Sequence, residues 1–457
     1  MTDLYGLFFQ EILYPAWESG LRRRPTLQHW KRLERTQWCT ADELRAFQDQ
    51  ELARLLDHAF ANVPDTRERF ARAGVARDDV RSVDDLTKLP LLTREAATSN
   101  FEARKATAPP LADIDKQTSG TTGVPLVFGY DHGSEYWRQA MKLRGYSWAG
   151  YRPGDRSLHF WGSAAALHPP PLSKKLKVLL DHSLRRELYV DCTERSEQAL
   201  DKVTQVIRKR KPDVMLCYAQ AGVALARHVV EKGSRDWRNL RVICAAERLF
   251  PADRELLREA FGPEIFETYG SREVMLIAAE CEAHSGMHVS MENLVVEVVV
   301  RDGTGERPAV PGELGEVAVT DLHNFGAPFI RYLTGDLAVQ RAPGRCACGR
   351  SLGLLDRVEG RTTDTLRDGE GRAVSGLFFN VLFASLAREV RGFQVVQHRD
   401  RSIHLKMVPT ERFDDAVLER VRSNSSKFIP GIELRIELIP ELPVDRGGKL
   451  RVVVVEN

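Results

Sequence analysis

Residues 118–125 carry the sequence Thr118-Ser119-Gly120-Thr121-Thr122-Gly123-Val124-Pro125. Glycine lets backbone N–H groups approach an anion closely, and consecutive amides form a concave anion site. The serine and threonine hydroxyls add hydrogen-bond donors. The stretch lacks the lysine of the G-x-x-x-x-G-K-[ST] loop, so it predicts ATP binding without kinase-like cleavage. On its own, it is equally typical of a polar turn before a strand at 126–130.

Four further segments follow this stretch in order along the chain: Glu267-Thr268-Tyr269-Gly270-Ser271-Arg272-Glu273, Arg331-Tyr332-Leu333-Thr334-Gly335-Asp336, Glu359-Gly360-Arg361-Thr362-Thr363-Asp364 and Pro443-Val444-Asp445-Arg446-Gly447-Gly448-Lys449. Together the five segments resemble the adenylate-forming superfamily, which includes acyl-CoA synthetases, peptide-synthetase adenylation domains and luciferases. The chain length and Cys346-Ala347-Cys348-Gly349-Arg350 resemble the phenylacetate–CoA ligase branch. The resemblance runs from about residue 50 to the C-terminus.

Composition sets limits that agree with this resemblance. A chain of 457 residues should form two or more domains, and 43% hydrophobic with 28% charged residues is ordinary for a globular protein. The net charge of +2 gives no electrostatic reason to expect nucleic-acid binding. No apolar run reaches the length of a membrane span, and the N-terminus lacks signal-peptide features, which predicts a cytoplasmic protein. The seven cysteines do not form the pattern of a disulfide framework.

Hydrophobic periodicity predicts the order of the secondary structure. Residues 41–62 form an amphipathic helix that Thr40 would cap. Between 195 and 268, helices alternate with short apolar runs such as Val214–Tyr218, which indicates βαβ units and a parallel sheet. From 293 to 341 the pattern changes to β-strands separated by Gly/Pro turns.

The last hundred or so residues predict a small α+β unit, with helices near 377–390 and 412–427 and a linker at 358–364. The predicted fold class is therefore α/β and α+β, multidomain. The resemblance implies a large N-terminal domain with parallel sheets and a β region, residues 1–358. It also implies a small mobile α+β C-terminal lid, residues 359–457.

The reaction of the family sets the chemical requirements of the site. Adenylation joins a carboxylate to the α-phosphate of ATP and releases pyrophosphate. Both reactants are anions, so the site must neutralise charge and hold them in line. The resemblance implies that Ser119, Gly120, Thr121, Thr122 and Gly123 wrap the β- and γ-phosphates, with Thr121 close to the chemistry.

The resemblance assigns the remaining nucleotide contacts to three segments. Glu273 matches the metal-binding glutamate, and carboxylate and phosphate oxygens suit Mg²⁺. Tyr269 would stack on adenine, with Gly270 and Ser271 beside the α-phosphate. Ala245, Ala246 and Glu247 match the adenine-edge segment, although a simple strand end explains them nearly as well. Asp336 would accept the ribose hydroxyls, with help from Arg361.

Lys449 supplies the cation of the predicted site. By resemblance its ammonium group would bridge the substrate carboxylate and the α-phosphate during adenylation, a task that suits a point charge. The hinge departs from the usual Gly-Arg-x-Asp-Asp pattern, since Thr363 stands at the usual aspartate. The segment 368–375 also lacks the glycine motif that lines the family's pantetheine tunnel. These departures leave a carrier protein or an amine open as acyl acceptor beside CoA.

Cysteine and histidine residues suggest a second, separate metal site. Cys281 and His288, together with Cys346 and Cys348, supply four ligands that suit tetrahedral Zn²⁺, and His284 is the alternative histidine. Phenylacetate–CoA ligase-like proteins show a similar arrangement. Four protein ligands leave no open position, so such a zinc would be structural. The alternative is a pair of free thiols in a loop.

The acid itself is not encoded in a readable motif. Trp161 and its neighbours Ala164–Ala166 occupy the region where the family places its acyl site, which favours an aromatic acid by analogy. The sequence therefore predicts an ATP- and Mg²⁺-dependent enzyme that adenylates a small-molecule carboxylic acid and transfers it, most simply, to CoA. A non-catalytic nucleotide-binding relative and a zinc-dependent binding module are the alternatives of another class.

Overall fold

The structure is a computed structural model that describes residues 3–117, 126–162, 172–192, 196–302, 305–361, 365–369, 373–375, 379, 382–383, 386, 389–429, 431–443 and 452–456. The helices are α1 (Leu4–Phe8), α2 (Thr26–Thr36), α3 (Ala41–Asn62), α4 (Pro64–Arg72), α5 (Arg94–Ser99), α6 (His132–Trp148), α7 (Leu172–Arg185), α8 (Glu197–Arg210), α9 (Ala219–Glu231), α10 (Pro251–Phe261) and α11 (Asp415–Phe428). Phe9–Leu13 and Ala16–Leu21 are π-helical, and Arg77–Asp79, Val83–Lys88 and Glu102–Arg104 are 3₁₀ turns.

The strands, in chain order, are β1 (Ile114–Gln117), β2 (Val127–Tyr130), β3 (Ser157–Trp161), β4 (Glu187–Asp191), β5 (Val214–Tyr218), β6 (Arg241–Ala245), β7 (Ile265–Ser271), β8 (Met275–Glu280), β9 (Met287–Val289), β10 (Leu294–Asp302), β11 (Gly305–Pro308), β12 (Leu314–Asp321), β13 (Tyr332–Gln340), β14 (Leu354–Arg361), β15 (Thr365–Arg367), β16 (Ala373–Ser375), β17 (Val390–Gln397), β18 (Ile403–Pro409), β19 (Leu434–Leu438) and β20 (Val453–Val455).

One twelve-stranded sheet dominates the fold, in the order β11-β10-β12-β13-β14-β9-β8-β7-β6-β5-β3-β4. Strands β4, β3, β5, β6 and β7 are parallel, and the rest of the sheet is antiparallel. The predicted parallel sheet and β region are both confirmed. The sequence did not show that they are halves of one continuous sheet.

Helices cover both faces of the parallel part because its strands are apolar on both sides. All five residues of β5, Val214–Tyr218, are buried. Met215 and Cys217 pack into a core that contains residues of α8, α9 and α10, whereas Val214 and Leu216 pack into one that contains Phe9, Tyr14 and residues of α2 and α6. A near-continuous hydrophobic run is typical of a parallel strand covered on both faces.

The predicted N-cap of α3 is confirmed in detail. The Thr40 hydroxyl accepts a hydrogen bond from Glu43 N, and the Glu43 carboxylate accepts one from Thr40 N. This reciprocal capping box satisfies two backbone donors that the first turn leaves open. It fixes the start of the helix at Ala41.

The C-terminal residues form a separate four-stranded sheet, β19-β18-β17-β20, against which α11 packs. The predicted α+β unit is confirmed there, whereas the helix expected at 377–390 falls largely outside the described residues. Residues 358–361 of the linker expected at 358–364 instead continue β14, where Val358, Gly360 and Arg361 pair with β13. The predicted domain boundary thus lies inside a strand, and the division into two domains remains a prediction. No helix in the described part of the chain is both long and apolar enough to cross a membrane.

Candidate nucleotide and acyl site

The carboxyl ends of the parallel strands bring several predicted residues to one edge of the sheet. Strand β3 ends at Trp161, β5 at Tyr218 and β6 at Ala245, and Tyr218 pairs in register with Ala245. Tyr269 lies near the end of β7, the next strand. Open α/β sheets bind ligands in the crevice outside these strand ends. The predicted acyl and adenine residues therefore share the edge where a ligand is expected.

An aromatic pair forms one wall of this edge. The ring centroids of Trp161 and Tyr218 are 4.4 Å apart, with an interplanar angle of 53°. Trp161 is half-buried and Tyr218 is buried. Sequence reasoning missed Tyr218, although its position as the aromatic end of the apolar run 214–218 was a usable signal.

The adenine-edge segment turns sharply after β6. Ala246 has a φ of +68°, a left-handed conformation that is costly for a residue with a Cβ. The turn directs Glu247 toward α9, where its Oε2 accepts a hydrogen bond from Gln220 N at 2.9 Å. A carboxylate at a helix N-terminus is stabilised by the helix dipole. Because Glu247 has this structural task, the backbone of Ala245 and Ala246 is the better candidate to face a base.

Hydrogen bonds join the predicted adenine residue to the predicted ribose residue. The Tyr269 hydroxyl donates to Asp336 Oδ2 at 2.8 Å and lies 3.3 Å from Thr334 Oγ1. Asp336 N donates to the same threonine oxygen at 3.2 Å. Asp336 also stands opposite Arg361 in the β13–β14 register. Residues from three separate sequence motifs thus meet at one place.

Gly270 and Ser271 complete the β7 side of this place. A Cβ on Gly270 would lie 2.0 Å from the carbonyl oxygen of Met275, so only glycine fits. Ser271 Oγ is buried and has no hydrogen-bond partner in the part of the chain that the structure describes. An unpaired buried hydroxyl is costly unless a ligand completes its bonding. The role of Ser271 beside a phosphate stays a prediction.

Glu273 lies in the turn between β7 and β8 and is buried. Tyr332 donates a hydrogen bond to Glu273 Oε1 at 3.3 Å, and Arg94 Nη1 lies 3.6 Å from the same oxygen. Burial, and then the nearby Glu273 carboxylate, raise the pKa of the Tyr332 hydroxyl, which therefore remains a donor at neutral pH. Sequence reasoning missed Arg94, because nothing in its neighbourhood marks it as a partner of a residue 179 positions later.

Three parts of the predicted site lie outside the described residues. They are the acyl-site candidates Ala164–Ala166, the cation Lys449, and the loop residues Ser119, Gly120, Thr121, Thr122 and Gly123. The hairpin that flanks the loop is described, with Gln117 of β1 opposite Val127 of β2. Leu126 and Phe128 on the return side are buried in the core.

The four Cys/His residues predicted as metal ligands form a compact cluster. One donor atom from each of Cys281, His288, Cys346 and Cys348 lies within 4.8 Å of the others. The Cys281 and Cys346 sulfurs are 3.9 Å apart, and Cys348 Sγ is 3.3 Å from His288 Nε2. This is a possible Cys/His metal-binding group. Three sulfurs and one imidazole nitrogen are the donor set of a Cys₃His zinc site.

The structure distinguishes the two candidate histidines. His288 Nδ1 donates toward Leu352 O at 3.4 Å, which leaves Nε2 as the acceptor that faces the sulfurs. Burial lowers the pKa of His288 to about 4, so its imidazole is neutral, the form that binds a metal. His284 instead lies 3.6 Å from Glu280 and packs on Phe266. His288 is therefore the histidine of the cluster.

Comparison with known proteins identifies the family of the chain. The chain is 30% identical over 354 residues to a phenylacetate-coenzyme A ligase of Escherichia coli, covering 73% of this chain and 75% of that one. The chain belongs to the phenylacetate–CoA ligase family of adenylate-forming enzymes. It is therefore an ATP-dependent acid–thiol ligase.

One further relative and one solved structure span more of the chain. A phenylacetate-coenzyme A ligase of Thermus thermophilus is 26% identical, over 90% of this chain and 96% of its own. A solved structure of 2-hydroxyisobutyryl-CoA ligase with 2-HIB-AMP superposes with a TM-score of 0.72 at 19% identity, covering 92% of this chain and 90% of that one. That likeness supports the fold. No protein-family model matches the chain.

Proposed function

We propose that this protein adenylates an aryl carboxylic acid with ATP and then transfers the acyl group to CoA. The observation that carries the proposal is the meeting of Tyr269, Asp336 and the Arg361 backbone position, from three separate motifs, at the carboxyl edge of the parallel strands. Coenzyme A is named as the acceptor of the phenylacetate-coenzyme A ligases to which the chain is similar.

The described residues support a division of labour in the first half-reaction. Asp336 would accept the ribose hydroxyls, and the Tyr269 ring would stack on adenine while its hydroxyl orients Asp336. Glu273 would hold Mg²⁺, which would neutralise phosphate charge. Arg94 and the Tyr332 hydroxyl keep the Glu273 carboxylate in place. Ser271 would donate to the α-phosphate. By resemblance alone, Lys449, which lies outside the described residues, would bring the substrate carboxylate to it.

An aryl acid fits the wall formed by Trp161 and Tyr218. Aromatic rings attract one another in tilted or offset arrangements, and a tilted pair offers a third ring both a face and an edge. The relatives named phenylacetate-coenzyme A ligase point to the same substrate class. We therefore propose arylacetic and benzoic acids as the substrates to test first.

We also propose that the Cys281, His288, Cys346 and Cys348 cluster binds a structural zinc ion. Its donors come from the end of β8, from β9 and from the loop between β13 and β14, so a bound metal would tie the antiparallel part of the sheet together. The four donors face one another, which leaves no position for a substrate.

The direct test is pyrophosphate release from ATP with a panel of aryl, aliphatic and amino acids, each with and without CoA. We expect pyrophosphate release that requires an aryl acid and rises with CoA, together with formation of the aryl-CoA thioester. Release that requires an aryl acid but gives no thioester would point to a carrier protein or an amine as acceptor. Absence of release from folded protein that binds AMP would support the non-catalytic alternative.

A further inference from the structure

An ion pair between a half-buried arginine and a buried glutamate adjoins the adenine-edge segment. Arg248 follows Ala245–Glu247 in the chain, and its guanidinium contacts the carboxylate of Glu359 in β14. The Glu359 side chain is 3% exposed and that of Arg248 is 21% exposed. Arg248 also stacks over the Phe250 ring at 4.8 Å, which limits its rotation. The sequence motifs gave no role to either residue.

The position of Glu359 in β14 is irregular. Leu337 pairs with Gly360, whereas the next residue, Ala338, pairs with Val358. Glu359 is therefore the extra residue of a β-bulge. Bulges redirect a side chain away from the regular alternation of a strand and are common next to active sites. Here the redirected carboxylate meets Arg248, and Arg357 of the same strand forms a second ion pair with it.

This ion pair connects two segments that share no strand pairing. Strands β6 and β14 are separated by three others, β7, β8 and β9, in the sheet order. Arg248 lies two residues after Ala246, and Glu359 lies two residues before Arg361. Arg248 thus adjoins the adenine-edge segment. Glu359 adjoins Arg361, which pairs with Asp336, the proposed ribose ligand. The ion pair is thus a direct link between two sides of the proposed nucleotide site.

Stability alone does not explain such a pair. Removing two charges from water costs about as much as their attraction returns, and apolar replacements of buried pairs are often neutral or stabilising. A charged pair does, however, fix one geometry, because both partners must meet to offset their desolvation. The expected benefit is a defined distance between the two segments.

We infer that Arg248 and Glu359 are positioning residues that set the spacing between the adenine-edge segment and the Asp336–Arg361 strand pair. They act on nucleotide binding through these neighbours and do not touch the acid. The inference rests on the proposed nucleotide site and adds to it Arg248, which lies outside the motifs named above, and Glu359, which opens one of them without a role assigned to it.

The test compares Arg248→Met, Glu359→Gln and the double variant with wild type. We expect each single change to raise the KM for ATP and the Kd for AMP about tenfold, with the KM for the acid and kcat nearly unchanged. The double variant should be no worse than the worse single variant, because the two residues act as one unit. Arg156→Met is the matched control. It breaks the Arg156–Asp213 ion pair, which lies at the amino ends of β3 and β5, away from their carboxyl ends where the nucleotide site is proposed.

Several outcomes would overturn the inference. One is an unchanged KM for ATP in both single variants, and another is an equal rise in the KM for ATP and for the acid. Strictly additive effects in the double variant would do the same. If Glu359→Gln fails to fold because two arginines lose their carboxylate, Arg248→Met decides the matter by the same KM comparison, since Glu359 keeps its ion pair with Arg357 in that variant.

Asp336→Ala separates this inference from the proposed nucleotide site. If Asp336→Ala weakens AMP binding while Arg248→Met and Glu359→Gln do not, the site stands and the positioning role falls. If Asp336→Ala leaves AMP binding unchanged, the proposed site is wrong, and the inference falls with it.

Discussion

Two regions bring together residues from distant parts of the chain: the nucleotide edge, formed by Tyr269, Ser271 and Asp336, and the Cys/His cluster. They differ in what their polar groups face. In the cluster, all four donors face one another within 4.8 Å, and the second nitrogen of His288 is engaged by Leu352. At the nucleotide edge, Ser271 Oγ has no partner among the described residues, and Asp336 is oriented by Tyr269. A closed donor set suits a structural ion, and an open one suits a substrate.

The largest difference between the two regions should follow from Lys449→Ala. Loss of the cation should lower acid-dependent adenylation about 1000-fold, because the reacting anions lose their bridge. Transfer of the acyl group from supplied acyl-AMP to CoA should continue, since that step does not need the bridge. The two half-reactions are measured separately, with Lys406→Ala in β18 as the control. A folded variant that loses both half-reactions would contradict the assigned role.

The Cys/His cluster should respond in stability and leave the catalytic rate unchanged. Cys346→Ser should release the bound metal and lower the free energy of unfolding by roughly 3 kcal/mol. The kcat of the remaining folded enzyme should stay near that of wild type. Elemental analysis and thermal unfolding measure both effects, with Cys39→Ser as the control, because Cys39 packs beside the cluster without belonging to it. Wild-type protein without bound metal would refute the zinc proposal.

Tyr269→Phe tests the link between the two nucleotide motifs. The variant keeps the ring for stacking but removes the hydroxyl that orients Asp336. The KM for ATP should rise about three- to tenfold, while the KM for the acid should not change. Steady-state kinetics with each substrate varied in turn measures this, and Tyr189→Phe, whose hydroxyl contacts Glu187 at an exposed site, is the control. A rise confined to the acid would place Tyr269 in the acyl pocket instead.

The smallest effect concerns a carboxyl that belongs to neither region. Burial, and then the neighbouring Glu280 carboxylate, raise the pKa of Glu267 to about 7. The folded state therefore binds this proton more tightly than the unfolded state does, and stability falls as the pH rises from about 4.5 to about 7. Glu267→Gln should remove that part of the slope and gain roughly 1 kcal/mol over wild type at pH 8.

Thermal unfolding of both proteins at pH 5 and pH 8 measures the Glu267 effect. The difference between wild type and Glu267→Gln should widen toward pH 8. An equal difference at both values would mean that the Glu267 carboxyl titrates at the same pH in the folded and unfolded states.

The sequence predicted most of what depends on local pattern. The apolar run Val214–Tyr218 and the capping box of Thr40 are local signals, and both elements have the predicted bounds. The continuity of the twelve-stranded sheet was not predicted, because strand order depends on contacts between distant residues. The same holds for Arg94 beside Glu273 and for Arg248 beside Glu359. The motifs named the residues that would touch the nucleotide, but not those that hold them in place.

The most direct test of the central claim is exchange of labelled pyrophosphate into ATP, measured on wild-type protein without CoA. If the nucleotide edge forms an acyl adenylate as a separate first step, exchange should require an aryl acid and Mg²⁺, and CoA should not be needed. Exchange that proceeds equally without any acid, or that never occurs although ATP and the acid both bind, would contradict the account.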